Sequence, residues 1–125
     1  MAAFVAKTNQ SEFCTTTHAT VARQAYGDGK DISALLFDPN LCGIAEPLRA
    51  TLLMLGELTR EHTVNADDMR TVVAAGASRQ QLEEALAVCF SFNVITRLAD
   101  AFGFSVPSQK AFDSGASFLL KRGYR

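Results

Sequence analysis

A thiol and an imidazole stand four residues apart at Cys14 and His18, within the stretch Asn9-Gln10-Ser11-Glu12-Phe13-Cys14-Thr15-Thr16-Thr17-His18. On a helix, residues i and i+4 share a face, which would bring the two side chains within reach of each other. A thiol in the first turn of a helix also meets the positive end of the macrodipole, and both influences favour the thiolate. Such a thiolate is a nucleophile that can be oxidised to sulfenic acid, with a neighbouring imidazole to move the proton. Three residues before Cys14, where a second cysteine would complete a redox pair, the chain has Ser11. A serine there suits a helix N-cap, and its hydroxyl is also able to donate a hydrogen bond to a thiolate or substrate at Cys14. The same residues fit plain structure too, because free cysteine is among the most buried residue types.

Helices must position these groups. No stretch alternates convincingly as a strand, and helical signals recur along the chain. The first helix is expected from about Asn9–Ser11 to Tyr26, stopped by Gly27-Asp28-Gly29, with residues 2–8 as the end of a preceding helix. Three consecutive threonines are poor helix material, so their retention suggests a role for what they face. A short helical piece follows at Asp31–Phe37, closed by Pro39. The next helix opens at Glu46-Pro47 and ends at about Arg60 to His62. Another runs from Ala66 to Ala75 behind Asn65 as N-cap. Ser78 and Gln81 form a capping box that opens the longest helix, Arg79–Phe102. From Ala85 to Leu98 that helix is apolar on nearly every side, which marks it as central or as a subunit interface. Pro107-Ser108 starts a last helix through about Leu120. The pattern is a single all-α domain of five to six helices spanning residues 1–125.

Composition excludes several function classes. A net charge of −1 leaves no basic stripe to neutralise phosphates, which argues against nucleic-acid binding. No apolar run reaches the roughly 18–20 residues that span a bilayer, and the N-terminus lacks a charged n-region. The three cysteines are odd in number and widely spaced, which fits a cytoplasmic protein with reduced thiols rather than a disulfide framework. Cys42 and Cys89 have no close-spaced ligand partners in His18 or His62, so no metal and no other cofactor is expected. Cys89, in the apolar middle of the long helix, reads as core, and Cys42 as a loop thiol able to resolve an oxidised Cys14. Arg97 lies three residues before Asp100 on the same helix. A buried arginine needs a partner, so these two are expected to pair.

Two stretches carry a family likeness. Ser11-Glu12-Phe13-Cys14-Thr15-Thr16-Thr17-His18 resembles a C-x-x-C-x-x-x-H segment with its leading cysteine replaced. Phe92-Asn93-Val94-Ile95-Thr96-Arg97-Leu98-Ala99-Asp100-Ala101-Phe102-Gly103 is similar to an F-N-x-x-x-R-x-A-D-x-x-G helix ending. Leu58-Thr59-Arg60-Glu61-His62, Ala74-Ala75-Gly76-Ala77-Ser78 and the closing Lys121-Arg122-Gly123-Tyr124 extend the likeness over most of the chain. Together they resemble the alkylhydroperoxidase D (AhpD-like) and carboxymuconolactone decarboxylase superfamily, in its peroxidase-related branch.

The resemblance implies an all-α homo-oligomer whose active members reduce hydroperoxides at the expense of a thiol reductant. They use a cysteine pair, a histidine and a glutamate from the preceding helix. The second cysteine of that set falls on Cys14, the histidine on His18, and the first cysteine on Ser11. The glutamate-bearing helix would lie before Met1, so the domain is expected to lack it. Serine has no sulfur to exchange, so Cys14 cannot close the internal disulfide. Three functions follow: an AhpD-like peroxidase of impaired activity, a catalytically inactive oligomeric homologue with a binding or structural role, and, ranked last, a lactone decarboxylase-like enzyme.

Overall fold

A computed structural model describes residues 1–27, 31–105 and 108–123. It is all-helical. In chain order the helices are α1 (Ala2–Thr8), α2 (Glu12–Tyr26), α3 (Ile32–Phe37), α4 (Glu46–Glu61), α5 (Ala66–Ala74), α6 (Arg79–Ala101) and α7 (Gln109–Arg122), with a 3₁₀ turn at Pro39–Leu41. That is one helix more than the sequence pattern suggests. Ala2–Thr8 is a helix in its own right, with Ala3, Phe4, Val5 and Ala6 all buried. Four consecutive buried residues leave no solvent face there, so this short apolar segment sits at the centre and packs on α2, α4 and α6.

Capping chemistry sets most boundaries. Asp31 accepts from the Ala34 N–H at 2.9 Å and starts α3. Asn65 with Asp68, and Ser78 with Gln81, cap α5 and α6 reciprocally, each side chain accepting from the other's backbone N–H. The threonines of α2 do not face a partner with their hydroxyls. Thr15 donates to the Ser11 carbonyl at 2.7 Å and Thr17 to that of Phe13 at 2.8 Å. Back-bonding of this kind satisfies the hydroxyl within the helix and explains why a β-branched run is tolerated. Of the stop at Gly27-Asp28-Gly29 only Gly27 is described, with φ +66°. Asp28, Gly29, Pro107 and Tyr124 lie outside the described residues.

Two apolar clusters form the core. The larger joins Val5 and Ala6 of α1 to Cys14, Met54, Leu55, Val72, Leu82, Cys89 and Phe92. The smaller gathers Phe4, Ala19, Ile32, Leu36 and Leu52. α7 covers α2, where Gln24 donates to the Asp113 carbonyl at 3.0 Å and accepts from Ser117 at 2.9 Å. Phe13 meets Phe104 edge-on at 5.4 Å and Phe112 at 6.0 Å, closing the end of that pair.

Candidate functional site

The site begins with the reversal between α1 and α2. Gln10 holds a left-handed φ of 61°, which turns the chain within two residues and aims Ser11 inward. Ser11 occupies the N-cap position of α2, yet its side chain makes no capping hydrogen bond. Its hydroxyl, 1% exposed, donates instead to Asp100 Oδ1 of α6 at 2.9 Å. Two residues earlier, Asn9 Nδ2 donates to Asn93 Oδ1 at 3.0 Å. Asn93 and Asp100 are seven residues apart, two turns, and share one face of α6. They therefore grip the turn at two points.

Asn93 also ties in α4 and the interior thiol. Its Nδ2 donates to the Cys89 carbonyl at 3.0 Å and lies 3.3 Å from Cys89 Sγ, with Thr59 Oγ1 at 3.5 Å. Thr59 itself donates to the Leu55 carbonyl at 2.7 Å. Sequence reasoning passed over Asn93 and Asp100 as site residues. The available signal was a pair of polar side chains, two turns apart, on the face of α6 that also carries Cys89 and Thr96.

Arg97 does not pair with Asp100. It is exposed and donates to the Asn93 carbonyl of its own helix, so water covers the charge that was expected to need a partner. Asp100 is exposed as well, and its hydrogen bond goes to Ser11.

Cys14 is the third residue of α2 and 3% exposed, within the larger core cluster. His18 follows one turn later on the same face. Its ring stands edge-on to Phe92 with 4.6 Å between centroids. It borders a cavity of about 390 Å³ lined otherwise by Ala87, Val88, Ser91, Phe92 and Ile95 of α6. Burial, and secondarily the positive charge of the N-terminal amino group, push the His18 pKa down to about 4. At neutral pH the imidazole is therefore uncharged.

All three cysteines are free thiols. Cys42 lies in the loop after the 3₁₀ turn, its Sγ 3.8 Å from the Asp38 carbonyl, beside the smaller cluster rather than the one that holds Cys14. Among the described residues no group of three or more His, Cys, Asp or Glu side chains is placed to hold a metal ion. None of the described helices is long and apolar enough to cross a membrane. No protein-family model matches the chain, and no curated protein matches it.

Proposed function

We propose that this chain is an AhpD-like thiol peroxidase in which Cys14 is the nucleophile and His18 moves the proton. The observation that supports the reading is an imidazole one helical turn beyond a cysteine at the N-terminal end of α2, on the wall of a cavity lined mainly by apolar side chains of α6. Cys14 passes its proton to His18, and the sulfur attacks the terminal oxygen of an organic hydroperoxide. The O–O bond breaks, the alkoxide leaves and recovers the proton from the imidazolium, and the products are an alcohol and the Cys14 sulfenic acid.

Ser11 cannot resolve that sulfenic acid. An external thiol condenses with it, releasing water and leaving a mixed disulfide, which a second thiol reduces. A cytoplasmic location supplies such thiols. Because Cys14 is 3% exposed, attack requires the packing around it to open locally.

That burial also supports a second reading, an inactive homologue with a binding or structural role. The two separate in one assay of hydroperoxide consumption with a supplied dithiol. The peroxidase reading expects turnover that Cys14→Ala abolishes and Cys89→Ala preserves. It fails if Cys14 alkylates no faster than Cys89 and no hydroperoxide is consumed.

A further inference from the structure

We infer that the cleft walled by α1, the end of α3, the 3₁₀ turn and α4 is a binding site for an organic monocarboxylate with an apolar body. The cleft has a volume of about 410 Å³, within the roughly 300–1,000 Å³ of small-molecule sites. Phe4, Leu36, Phe37, Pro39 and Leu53 line it with apolar surface. Lys7, Gln10 and Arg60 bring nitrogen donors to the same cleft. It shares no lining residue with the His18 cavity, so the inference does not depend on any chemistry at Cys14.

Gly56 sets this cleft apart. It is buried inside α4, where glycine is a poor helix former, second only to proline. A Cβ there would stand 3.2 Å from Arg60 Nη1, 3.4 Å from Arg60 Nη2 and 3.2 Å from Phe4 Cε1. The absence of that carbon gives the guanidinium room to lie back over α4 beside the Phe4 ring. Nη2 donates to Glu57 at 2.9 Å, while Nη1 makes no hydrogen bond to the described residues and keeps its protons for a ligand. Among the described residues Lys7 forms no ion pair. Asp38 also lines the cleft, but its Oδ1 accepts from both nitrogens of Asn40. With Glu57 on Arg60 and Asp38 in the wall, Lys7 is the surplus charge, which suits one negative charge and not two. A carboxylate held by Arg60 Nη1 and reached by the Lys7 ammonium gains charge-assisted hydrogen bonds. Its apolar body covers Phe37, which is otherwise 77% exposed.

Octanoate is the probe. Calorimetry should find it bound with a Kd in the millimolar range or tighter. Octanol has the chain without the charge and acetate the charge without the chain, and each should bind at least about 10-fold more weakly. Octyl phosphate, with about two charges at pH 8, should also bind more weakly than octanoate. Lys7→Gln and Arg60→Gln should each weaken octanoate by about 10-fold, the loss of one charge-assisted contact. Lys110→Gln, exposed on α7, should not. Gly56→Ala should weaken it too, because buried Phe4 has little room to move and the guanidinium must shift. Lys7 and Arg60 are exposed, so their variants fold whatever becomes of Gly56→Ala, and circular dichroism checks all three. The chain has no tryptophan, so Phe37→Trp places a single fluorophore on the wall, whose emission should shift to the blue and saturate with octanoate. No binding of octanoate, equal binding of octanol, tighter binding of octyl phosphate, an unchanged emission, or Lys7→Gln and Arg60→Gln behaving as Lys110→Gln overturns the site. Wild-type affinity in a folded Gly56→Ala variant overturns the part given to Gly56.

Discussion

Removing Asp100 should cost more stability than removing Ser11, although Asp100 is the exposed member of the pair. In Ser11→Ala the freed carboxylate turns to water, so the loss is that of one hydrogen bond to a charged, solvated group, about 1 kcal/mol. In Asp100→Ala the Ser11 hydroxyl, 1% exposed, keeps its desolvation penalty without an acceptor, a loss of about 1–3 kcal/mol. Urea unfolding of both variants and the double variant measures the difference. Equal effects would mean that Ser11 finds another acceptor. The same contact bears on chemistry. Ser11→Cys puts a sulfur at the position three residues before Cys14, and gain of dithiol-dependent peroxidase turnover would mean that only the sulfur was missing. If that variant stays inactive while wild-type Cys14 is reactive, the hydrogen bond from Ser11 to Asp100 is a requirement of the turn's shape. Residue types and their spacing single out Cys14 and His18, which stand one turn apart on α2. The partner of Ser11 was not legible, because it lies 89 residues away and reaches the turn only when α6 crosses it.

At the scale of elements, two left-handed residues that are not glycine stand where helices reverse or end, Gln10 at φ 61° and His62 at φ 60°. That conformation costs a residue with a Cβ about 1–2 kcal/mol, part of which glycine would return to the unfolded chain as entropy. Gln10→Gly is expected to stabilise the protein by about 0.5–1 kcal/mol, and Gln10→Val to destabilise it by more than that. Thermal unfolding of the two variants decides, and the reverse order would remove the claim that this turn is under strain. These positions also show where boundaries blurred. Asn65, Ser78 and Gly27 are recognisable caps, and the helices beside them begin or end where pattern places them. Between α1 and α2 no glycine or proline stands, and Gln10 carries no signal that it will turn left-handed. Ala2–Thr8 therefore reads from sequence as a remnant, when it is the helix on which α2, α4 and α6 converge.

At the scale of the whole molecule, the all-α architecture is legible because helical periodicity and caps are local. The face of α6 that meets solvent is not, because a helix apolar on both sides gives no rule for which side the domain buries. The choice falls to the polar grips, Asn93 on Asn9 and Asp100 on Ser11, which turn one face of α6 inward and leave Val94 and Leu98 outside. Placing His18 against Phe92 in that packing ties global stability to pH. Its folded pKa, about 4, lies below the ordinary histidine value of 6.5, so between those values the unfolded chain binds a proton that the folded chain refuses. Stability is complete above about pH 6.5 and falls as pH drops toward 4, with unfolding favoured by up to one proton's linkage. Allowing for the partial solvent access of the ring, the loss is on the order of 1–3 kcal/mol. His18→Gln keeps a polar side chain of similar length and removes the titration, so its stability curve should be flatter from pH 6.5 to 4.5. His62→Gln, at an exposed position, should leave the wild-type slope unchanged. Identical slopes in wild type and His18→Gln would mean that His18 is as well solvated in the fold as in the unfolded chain, and that the cavity beside it is open to water.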